Sequence, residues 1–243
     1  AAPVRGRGGR RRPGALVSGA APSAGAGAGD VDGLGLMRPD ADPGTVLTIV
    51  TGRYVARIGT RGAALLSLTR DGADLVVPTT PDLSVKSFSG RVLAPWPNRL
   101  RDGAYTWEGR EYRVPINEAG TSTALHGLVA FTDFEVGPIA TSGVVLRTVL
   151  AHPGYPTRLD FTVSYLLNDE TGLAVEVAAT NTGTRGAPYG GSHHPFLTCG
   201  GAPIEECALT LPAERVVTAD ERMLPTGTAA AEGELDLRGA ERL

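Results

Sequence analysis

The stretch LDFTVSYLLNDETGLAVEVAAT, residues 159–180, decides the fold, because its bulky apolar residues stand at every second position. This spacing places side chains on one face of a β-strand. The apolar set consists of Leu159, Phe161, Val163, Tyr165 and Leu167 in the first half and of Leu173, Val175, Val177 and Ala179 in the second. Between the halves, residues 168–172 are polar and end in glycine, which is typical of a turn. The stretch therefore predicts two strands joined as an antiparallel hairpin.

The same alternation recurs from residue 45 onward, whereas no window of a dozen residues has a helical period. A second hairpin is predicted over residues 104–114, with its turn at Glu108-Gly109-Arg110. Further strands are predicted at residues 46–50, 53–58, 63–69, 73–77, 143–150, 207–211 and 215–217. Many short strands separated by turn residues are typical of a sandwich or a barrel. Residues 45–243 are therefore predicted to form one all-β domain.

The composition agrees with a turn-rich globular protein and excludes several other classes. Among 243 residues, 33 are glycine and 18 are proline, while 42% are apolar, which is enough for a hydrophobic core. The net charge of −3 gives no general attraction to nucleic acid or to an acidic membrane surface. No apolar run is long enough to span a membrane, and Cys199 and Cys207 are too few for a disulfide scaffold. These observations predict a cytoplasmic protein without nucleic-acid or membrane partners.

The two ends of the chain differ from its middle. Residues 1–36 hold an arginine cluster and then a tract of glycine, alanine, serine and proline without a bulky apolar period. Such a tract does not offset the entropy of ordering, so residues 1–44 are predicted to be a disordered low-complexity extension, with the natural start at Met37. A twin-arginine export signal at Arg10-Arg11-Arg12 is the alternative, but the apolar stretch after it is short and rich in glycine. The other end stops directly after a strand-like stretch.

One candidate for binding chemistry is the segment GRVLAPWPNRLRDGAY, residues 90–105. Its two prolines around Trp96 keep the backbone out of a helix, and Asn98 and Arg99 follow directly. The asparagine amide offers a donor and an acceptor, and the arginine offers a fork of donors. This set suits a ligand covered in hydroxyl groups. A surface or purely structural arginine is the alternative for Arg99.

Histidines mark two further segments. In GTSTALHGL, residues 120–128, a loop of small residues delivers His126, for which a buried core histidine is the alternative. In PYGGSHHPFLTCG, residues 188–200, His193 and His194 are adjacent, so on a strand their side chains face opposite sides. This opposition argues against a metal site made by both histidines with the two cysteines, and no spacing typical of a zinc site is present. Either histidine alone could donate or accept a proton near neutral pH.

Other motifs of catalysis are missing from the sequence. It has no phosphate-binding loop, no dinucleotide glycine fingerprint and no GxSxG nucleophile motif. The fourth histidine, His152, lies in HPGYP, a turn by composition, and is interpreted as structural. The candidate site is therefore limited to the three segments above.

Together, these segments resemble the aldose 1-epimerase (galactose mutarotase) family. The resemblance covers residues 45–239 and rests on the order and spacing of short elements rather than on any one of them. The elements are APWPNR at 94–99, LHGL at 125–128, PGYP at 153–156, NTG at 181–183 and HPF at 194–196. The resemblance implies a large antiparallel β-sandwich of the galactose mutarotase-like kind, with a sugar site on a concave sheet face.

The resemblance also implies an activity, the interconversion of the α and β anomers of a free aldose, a small-molecule sugar, with no cofactor and no metal. Ring opening needs one proton placed on the ring oxygen and another removed from the anomeric hydroxyl. His194, directly before a Pro-Phe pair, corresponds to the acid of the family. Asn98, Arg99 and His126 correspond to positions that hold the sugar.

The base of the family is a glutamate, and its position falls beyond Leu243. The resemblance therefore implies either a fragment whose last strands are missing or a natural form without the base. A non-catalytic carbohydrate-binding module on the same fold is the alternative function. A sugar-phosphate epimerase is a third hypothesis, for which Arg91, Arg99 and Arg101 are few basic residues.

Overall fold

The computed structural model describes residues 44–239 and 241–242, and most of its regular structure is β. The strands are Val46–Thr51 (β1), Tyr54–Gly59 (β2), Ala64–Arg70 (β3), Ala73–Asp74 (β4), Val92–Leu93 (β5), Arg99–Arg101 (β6), Ala104–Trp107 (β7), Arg110–Arg113 (β8), Thr123–Leu125 (β9), Glu135–Ala140 (β10), Gly143–Leu150 (β11), Leu159–Asn168 (β12), Gly172–Asn181 (β13), Ser192–His193 (β14), Ala208–Leu209 (β15), Arg215–Ala219 (β16), Pro225–Ala230 (β17) and Glu241–Arg242 (β18). Within the described residues, the helical elements are one α-helix, Pro81–Ser87 (α1), and three 3₁₀-helices at Val129–Phe131, Ile204–Glu206 and Gly233–Leu235.

Two sequence-based predictions fall outside this description. Apart from Gly44, the predicted 1–44 extension and its start at Met37 lie outside the described residues. The predicted continuation beyond Leu243 lies outside them too. Within the described part of the chain, no helix has the length and apolar character needed to cross a membrane.

The hairpin predicted over residues 159–180 is formed by β12 and β13. The strands pair antiparallel from Leu159 opposite Asn181 to Asn168 opposite Gly172. Asn168 closes the turn, because its side-chain oxygen accepts hydrogen bonds from the backbone N–H groups of Glu170 and Thr171 at 2.9 and 3.0 Å. Gly172 has a φ of +83°, which glycine adopts without strain.

Two four-stranded antiparallel sheets, β1-β2-β3-β4 and β10-β11-β12-β13, pack across one core, and β1 and β2 contact β12. The alternating apolar residues of β12 are all buried, and the matching residues of β13 pack against the same core half-buried. Buried side chains from both sheets include Ile49, Ala56, Ile58, Leu65, Val144, Leu146, Phe161, Val163 and Tyr165. Burial of one such large side chain contributes about 1.5–3 kcal/mol. The predicted all-β antiparallel sandwich is confirmed.

Most predicted strands occur within one residue of their predicted bounds, and β11 coincides with its prediction at residues 143–150. The predicted hairpin over 104–114 is present as β7 and β8. Two predictions were too long, since β4 and β15 each contain only two residues. The helix α1 was not predicted, because seven residues are too few to show a helical period.

Two short ribbons bring the three candidate segments together. In one, β5 pairs with β14, which places Ser192–His193 beside Val92–Leu93. In the other, β6 pairs with β9, which places Arg99 opposite Leu125. A bridge between Ala94 and Gly127 connects the two ribbons. Residues far apart in sequence are thus neighbours in the structure.

Candidate active site

Asn98 directly precedes β6, and His126 directly follows β9. Because these two strands pair antiparallel, Asn98 and His126 lie side by side. The backbone N–H of Asn98 donates to Nδ1 of His126 at 3.0 Å, and the backbone N–H of His126 donates to the carbonyl of Asn98 at 2.8 Å. Both residues have positive φ angles, +61° for Asn98 and +64° for His126. Asparagine and histidine tolerate this conformation better than most residues do. The reciprocal bonds hold the His126 ring in one orientation.

The position of the His126 ring also fixes its protonation. Because Nδ1 accepts a hydrogen bond, the neutral ring carries its proton on Nε2. The pKa of His126 is lowered to about 4, chiefly by burial and also by the neighbouring His194 and Arg99, while Glu118 opposes the shift. At neutral pH, His126 is therefore an uncharged ring with one N–H available to a ligand.

His194 packs directly against His126. The two ring centroids are 5.1 Å apart with an angle of 70° between the planes, and Phe88 and Phe196 flank the pair with centroids 4.8 Å from His126 and 5.3 Å from His194. Nδ1 of His194 is buried and has no hydrogen-bond partner among the described residues. Nε2 is therefore the nitrogen through which His194 can reach a ligand.

His193 points to the opposite side, as the strand alternation predicted. Its Nε2 lies 3.1 Å from the hydroxyl of Tyr165, which donates to the carbonyl of Ala63 at 2.6 Å. The Tyr165 oxygen can therefore accept a hydrogen bond from His193. Burial lowers the pKa of His193, so this half-buried ring is neutral and faces Tyr165 of the core. Within the described part of the chain, no three histidine, cysteine or acidic side chains are grouped as metal ligands would be.

Arg99 is held by Glu118, a residue that the sequence did not single out. Nε and Nη2 of Arg99 donate to the two carboxylate oxygens at 2.7 and 2.8 Å, and Nη1 donates to the side-chain oxygen of Asn98 at 3.1 Å. The Glu118 hydrogen bonds raise the pKa of Arg99. The Arg99 hydrogen bonds lower the pKa of Glu118 to about 2, and the hydroxyls of Thr121 and Thr123 contribute to this shift. Both groups are therefore ionised at neutral pH.

The loop that carries Asn98 is packed closely against the loop that carries His126. The carbonyl of Ala94 accepts the backbone N–H of Leu128 at 2.8 Å and that of Val129 at 3.1 Å. Gly127 has a φ of +73°, and a Cβ at this position would lie 2.1 Å from the Ala94 oxygen. Only glycine fits here.

His152 lies in the turn that its composition predicted. Its Nδ1 accepts the backbone N–H of Gly154 at 3.0 Å, and its carbonyl accepts that of Tyr155 at 2.9 Å. These bonds give His152 a role within its own turn. The predicted residues that the structure does bring together are Asn98, Arg99, His126 and His194.

Two solved structures share the fold that carries this group of residues. The TM-score is 0.73 with the GalM/aldose epimerase homologue from C. elegans, at 22% identity over 82% of this chain and 65% of the other. It is 0.70 with galactose 1-epimerase from Lactobacillus acidophilus NCFM, at 20% identity over 81% of this chain and 62% of the other. At these identities the likeness shows the fold, a β-sandwich of the galactose mutarotase-like class.

The sequence comparison supplies the family. The aldose 1-epimerase family model matches residues 45–240, so the chain belongs to the aldose 1-epimerase family. Among curated relatives, the uncharacterized protein YihR of Escherichia coli K12 is 42% identical over 195 residues, and galactose mutarotase of Mus musculus is 31% identical over 157 residues. These matches cover 80% and 61% of this chain, but only 63% and 44% of the relatives. The chain thus spans less than two thirds of the length of either protein.

Proposed function

We propose that the protein is an aldose 1-epimerase that interconverts the α and β anomers of a free sugar, with His194 as the acid. The observation that carries this proposal is the packing of His194 on His126, with 5.1 Å between their ring centroids, beside the Asn98–Arg99 pair. A proton donor and a set of hydroxyl-binding groups thus share one surface. Family membership supports an isomerase of this kind.

In the proposed reaction, protonated His194 donates its Nε2 proton to the ring oxygen of the pyranose while a base takes the proton of the anomeric hydroxyl. The C1–O5 bond breaks, and the C1–O1 bond becomes the carbonyl of the open-chain aldehyde. Rotation about C1–C2 presents the other face of the carbonyl, and the same proton movements in reverse close the ring to the second anomer. Each positioned acid or base typically contributes about 10²–10⁴-fold to such a rate.

The other three residues bind and orient the sugar in this proposal. The neutral His126 ring offers its Nε2–H to a sugar oxygen, and the Asn98 amide offers a donor to a second oxygen. Arg99 polarises an oxygen but does not act as the base, because its guanidinium stays protonated. The reciprocal backbone bonds of Asn98 and His126 fix these groups before the sugar arrives, which limits the entropy lost on binding.

Glu118 does not serve as the base in this proposal. Both its oxygens accept hydrogen bonds from Arg99, and its pKa of about 2 makes it a weak proton acceptor at neutral pH. The resemblance of the sequence to the family assigns the base to a glutamate position beyond residue 243. The proposal therefore adopts that assignment and gives Glu118 a different role.

Sugar binding without catalysis is the second candidate function. The pairing of Glu118 with Arg99 favours it, because this carboxylate, which lies beside the proposed sugar-binding residues, is not available as a base. Calorimetric titration with simple hexoses separates the two candidates. Heat of binding without any exchange of anomers would support the binding module.

Polarimetry on freshly dissolved glucose and galactose tests the proposed activity. It is measured for the 243-residue chain and for the chain completed with the C-terminal region of a family member. His194→Ala is expected to lower the catalysed rate about 100-fold or more. His152→Asn is the control, since asparagine keeps the acceptor of the 152–154 turn, and its rate should match the parent. An unchanged rate in His194→Ala would exclude His194 as the acid.

A further inference from the structure

The carboxylate of Glu118 is the centre of a closed network of hydrogen bonds. Besides the two bonds from Arg99, its Oε2 accepts the hydroxyls of Thr121 and Thr123, both at 2.6 Å. The two threonine hydroxyls are 2.8 Å apart. Bonds from an arginine fork and from hydroxyls to an ionised carboxylate are the stronger kinds in proteins. The carboxylate is therefore held in one orientation.

The backbone holds Glu118 as firmly as the side chains do. Glu118 and Thr123 exchange backbone hydrogen bonds at 3.2 Å in both directions, and Thr123 belongs to β9, which pairs with β6, the strand that begins at Arg99. The loop between them is fastened by Arg222, whose guanidinium donates to the carbonyls of Thr121 and Ser122 at 2.8 and 3.0 Å. Glu118 and Arg99 thus sit at fixed places on one ribbon.

This network determines which edge of Arg99 remains for a ligand. Nε and Nη2 are used by Glu118, so Nη1, which bonds the Asn98 side chain at 3.1 Å, is the nitrogen on the side of the sugar-binding groups. The bidentate pair also leaves Arg99 and Glu118 without net charge, so beyond the pair their combined field falls off as that of a dipole rather than as that of a cation. The ligand therefore meets a directed N–H donor rather than an unpaired cation.

The other arginines near the candidate segments do not replace that charge. Arg91 is buried and donates to Ser84 at 3.1 Å and to the carbonyl of Ala130. Arg101 faces Asp220 at 3.7 Å. Arg91, Arg99 and Arg101, the basic residues that were few for a sugar-phosphate epimerase, each face a partner within the protein.

We propose that Glu118 is a positioning and specificity-determining residue: it aims Nη1 of Arg99 at the sugar and cancels the Arg99 charge, so that the site favours an uncharged sugar over an anionic one. This inference rests on the proposed function. It assigns Glu118 no contact with the substrate, and its whole effect passes through Arg99.

The first test measures the orientation of Arg99 without any sugar. In the ¹H–¹⁵N spectrum of the full 243-residue chain, the Arg99 Nε–H signal is expected to be shifted and protected from solvent exchange by the Glu118 bond. Glu118→Gln should weaken this protection, because the amide keeps one acceptor oxygen and no charge, whereas Glu111→Gln, which alters the exposed pair with Arg113, should leave it unchanged. An Arg99 signal that stays equally protected in Glu118→Gln would overturn the proposal. If Glu118→Gln does not fold, Thr121→Val should weaken the same protection, and an unaltered signal there would count against it equally.

The second test measures specificity by titrating galactose and galacturonate, two sugars that differ in charge. Glu118→Gln should weaken galactose binding about tenfold, the equivalent of one charged hydrogen bond, and should raise the affinity for galacturonate relative to galactose. In an Arg99→Ala background, the same substitution should leave the affinity for galactose unchanged. A relative affinity that Glu118→Gln leaves unchanged, or an equal loss of galactose affinity in the Arg99→Ala background, would refute the role of Glu118.

The two tests fail in different ways. If the unaltered chain binds neither sugar while the Arg99 signal behaves as expected, the proposed function is wrong and the structural role of Glu118 stands as measured. If the chain binds galactose and Glu118→Gln binds it equally well, the proposed function survives and the inference about Glu118 is lost.

Discussion

Asn98 and His126 bind each other through two hydrogen bonds that run in opposite directions, backbone to ring at 3.0 Å and backbone to backbone at 2.8 Å. The first bond selects the tautomer of His126, and the second fixes the distance between the two loops. His126, a proposed binding residue, and the loop that carries Asn98 are therefore held together as one unit. The charge state of His126 consequently depends on the integrity of the loop that carries Asn98.

His126 should make the stability of the protein depend on pH. Its pKa of about 4 in the folded chain is lower than the ordinary value of 6.5, so the unfolded chain binds the extra proton first. The contribution of His126 to the free energy of unfolding is fully present above about pH 6.5 and is lost as the pH falls toward 4. In urea unfolding at a series of pH values, the free energy of unfolding should therefore fall more steeply with decreasing pH for the parent than for His126→Asn.

His126→Asn is a suitable comparison because the asparagine oxygen can still accept the Asn98 N–H. The other histidines with lowered pKa values, His152 and His193, contribute equally to both proteins and cancel in the difference. If the free energy of unfolding had the same slope against pH in the parent and in His126→Asn between pH 6.5 and 4, the pKa of His126 would not be lowered in the folded chain.

Gly127→Ala should destabilise the protein much more than a glycine substitution usually does. The new Cβ would lie 2.1 Å from the Ala94 oxygen, and the residue would also be strained at a φ of +73°. Gly109→Ala is a matched control, since Gly109 has a φ of +75° but open space around it. We expect a loss of about 1–2 kcal/mol for the control, from strain alone, and at least twice that for Gly127→Ala. Equal losses of unfolding free energy in the two variants, measured by chemical denaturation, would mean that the loop carrying Ala94 shifts to accommodate the new Cβ without destabilising the protein.

The long strands could be predicted from the sequence because their signal is local. Within β12, the residue type indicates the buried or outer face at every position from Leu159 to Leu167 except the exposed Leu166, and the turn residues that follow set the register of the hairpin. The short strands β5 and β14 give no such signal. Their two-residue ladder joins Val92 to His193, about 100 positions away, and is imposed by the packing of the loops around it.

The start of helix α1 has a capping signal in the sequence, although the helix is too short to show a helical period. Thr80 accepts the N–H of Leu83 with its side chain, and Pro81 occupies the first turn, a pairing typical of helix starts. Glu118 could not be predicted as a partner of Arg99, since 19 positions separate them and only the pairing of β6 with β9 brings them together. The resemblance to a family supplied the proposed binding residues but did not point to Glu118.

Tyr165→Phe should weaken both the core and the strand that precedes His194. The Tyr165 hydroxyl bonds the Ala63 carbonyl at 2.6 Å and lies 3.1 Å from Nε2 of His193, so its removal leaves two buried groups without a partner. The expected loss of unfolding free energy is about 2 kcal/mol. Tyr54→Phe is the control, since the buried Tyr54 ring makes no hydroxyl hydrogen bond to a described residue, and its loss should stay within about 0.5 kcal/mol. Similar losses in both variants would mean that the two hydrogen bonds of the Tyr165 hydroxyl contribute nothing.

Arg91→Met should be among the most destabilising single changes near the candidate site. Arg91 is 1% exposed, and its guanidinium joins α1, through the carbonyl and hydroxyl of Ser84, to the carbonyl of Ala130. Methionine fills much of the same volume but leaves these oxygens buried and unpaired, which costs about 3 kcal/mol. Arg110→Met, at an exposed site where the guanidinium only covers the Tyr112 ring, should cost less than about 0.5 kcal/mol. A second measurement follows the position of His194. Because the Arg91 carbonyl accepts the backbone N–H of His194 at 3.1 Å, the His194 signals in an NMR spectrum should shift in Arg91→Met and not in Arg110→Met. Unshifted His194 signals would show that the end of β14 keeps its position without the buried arginine.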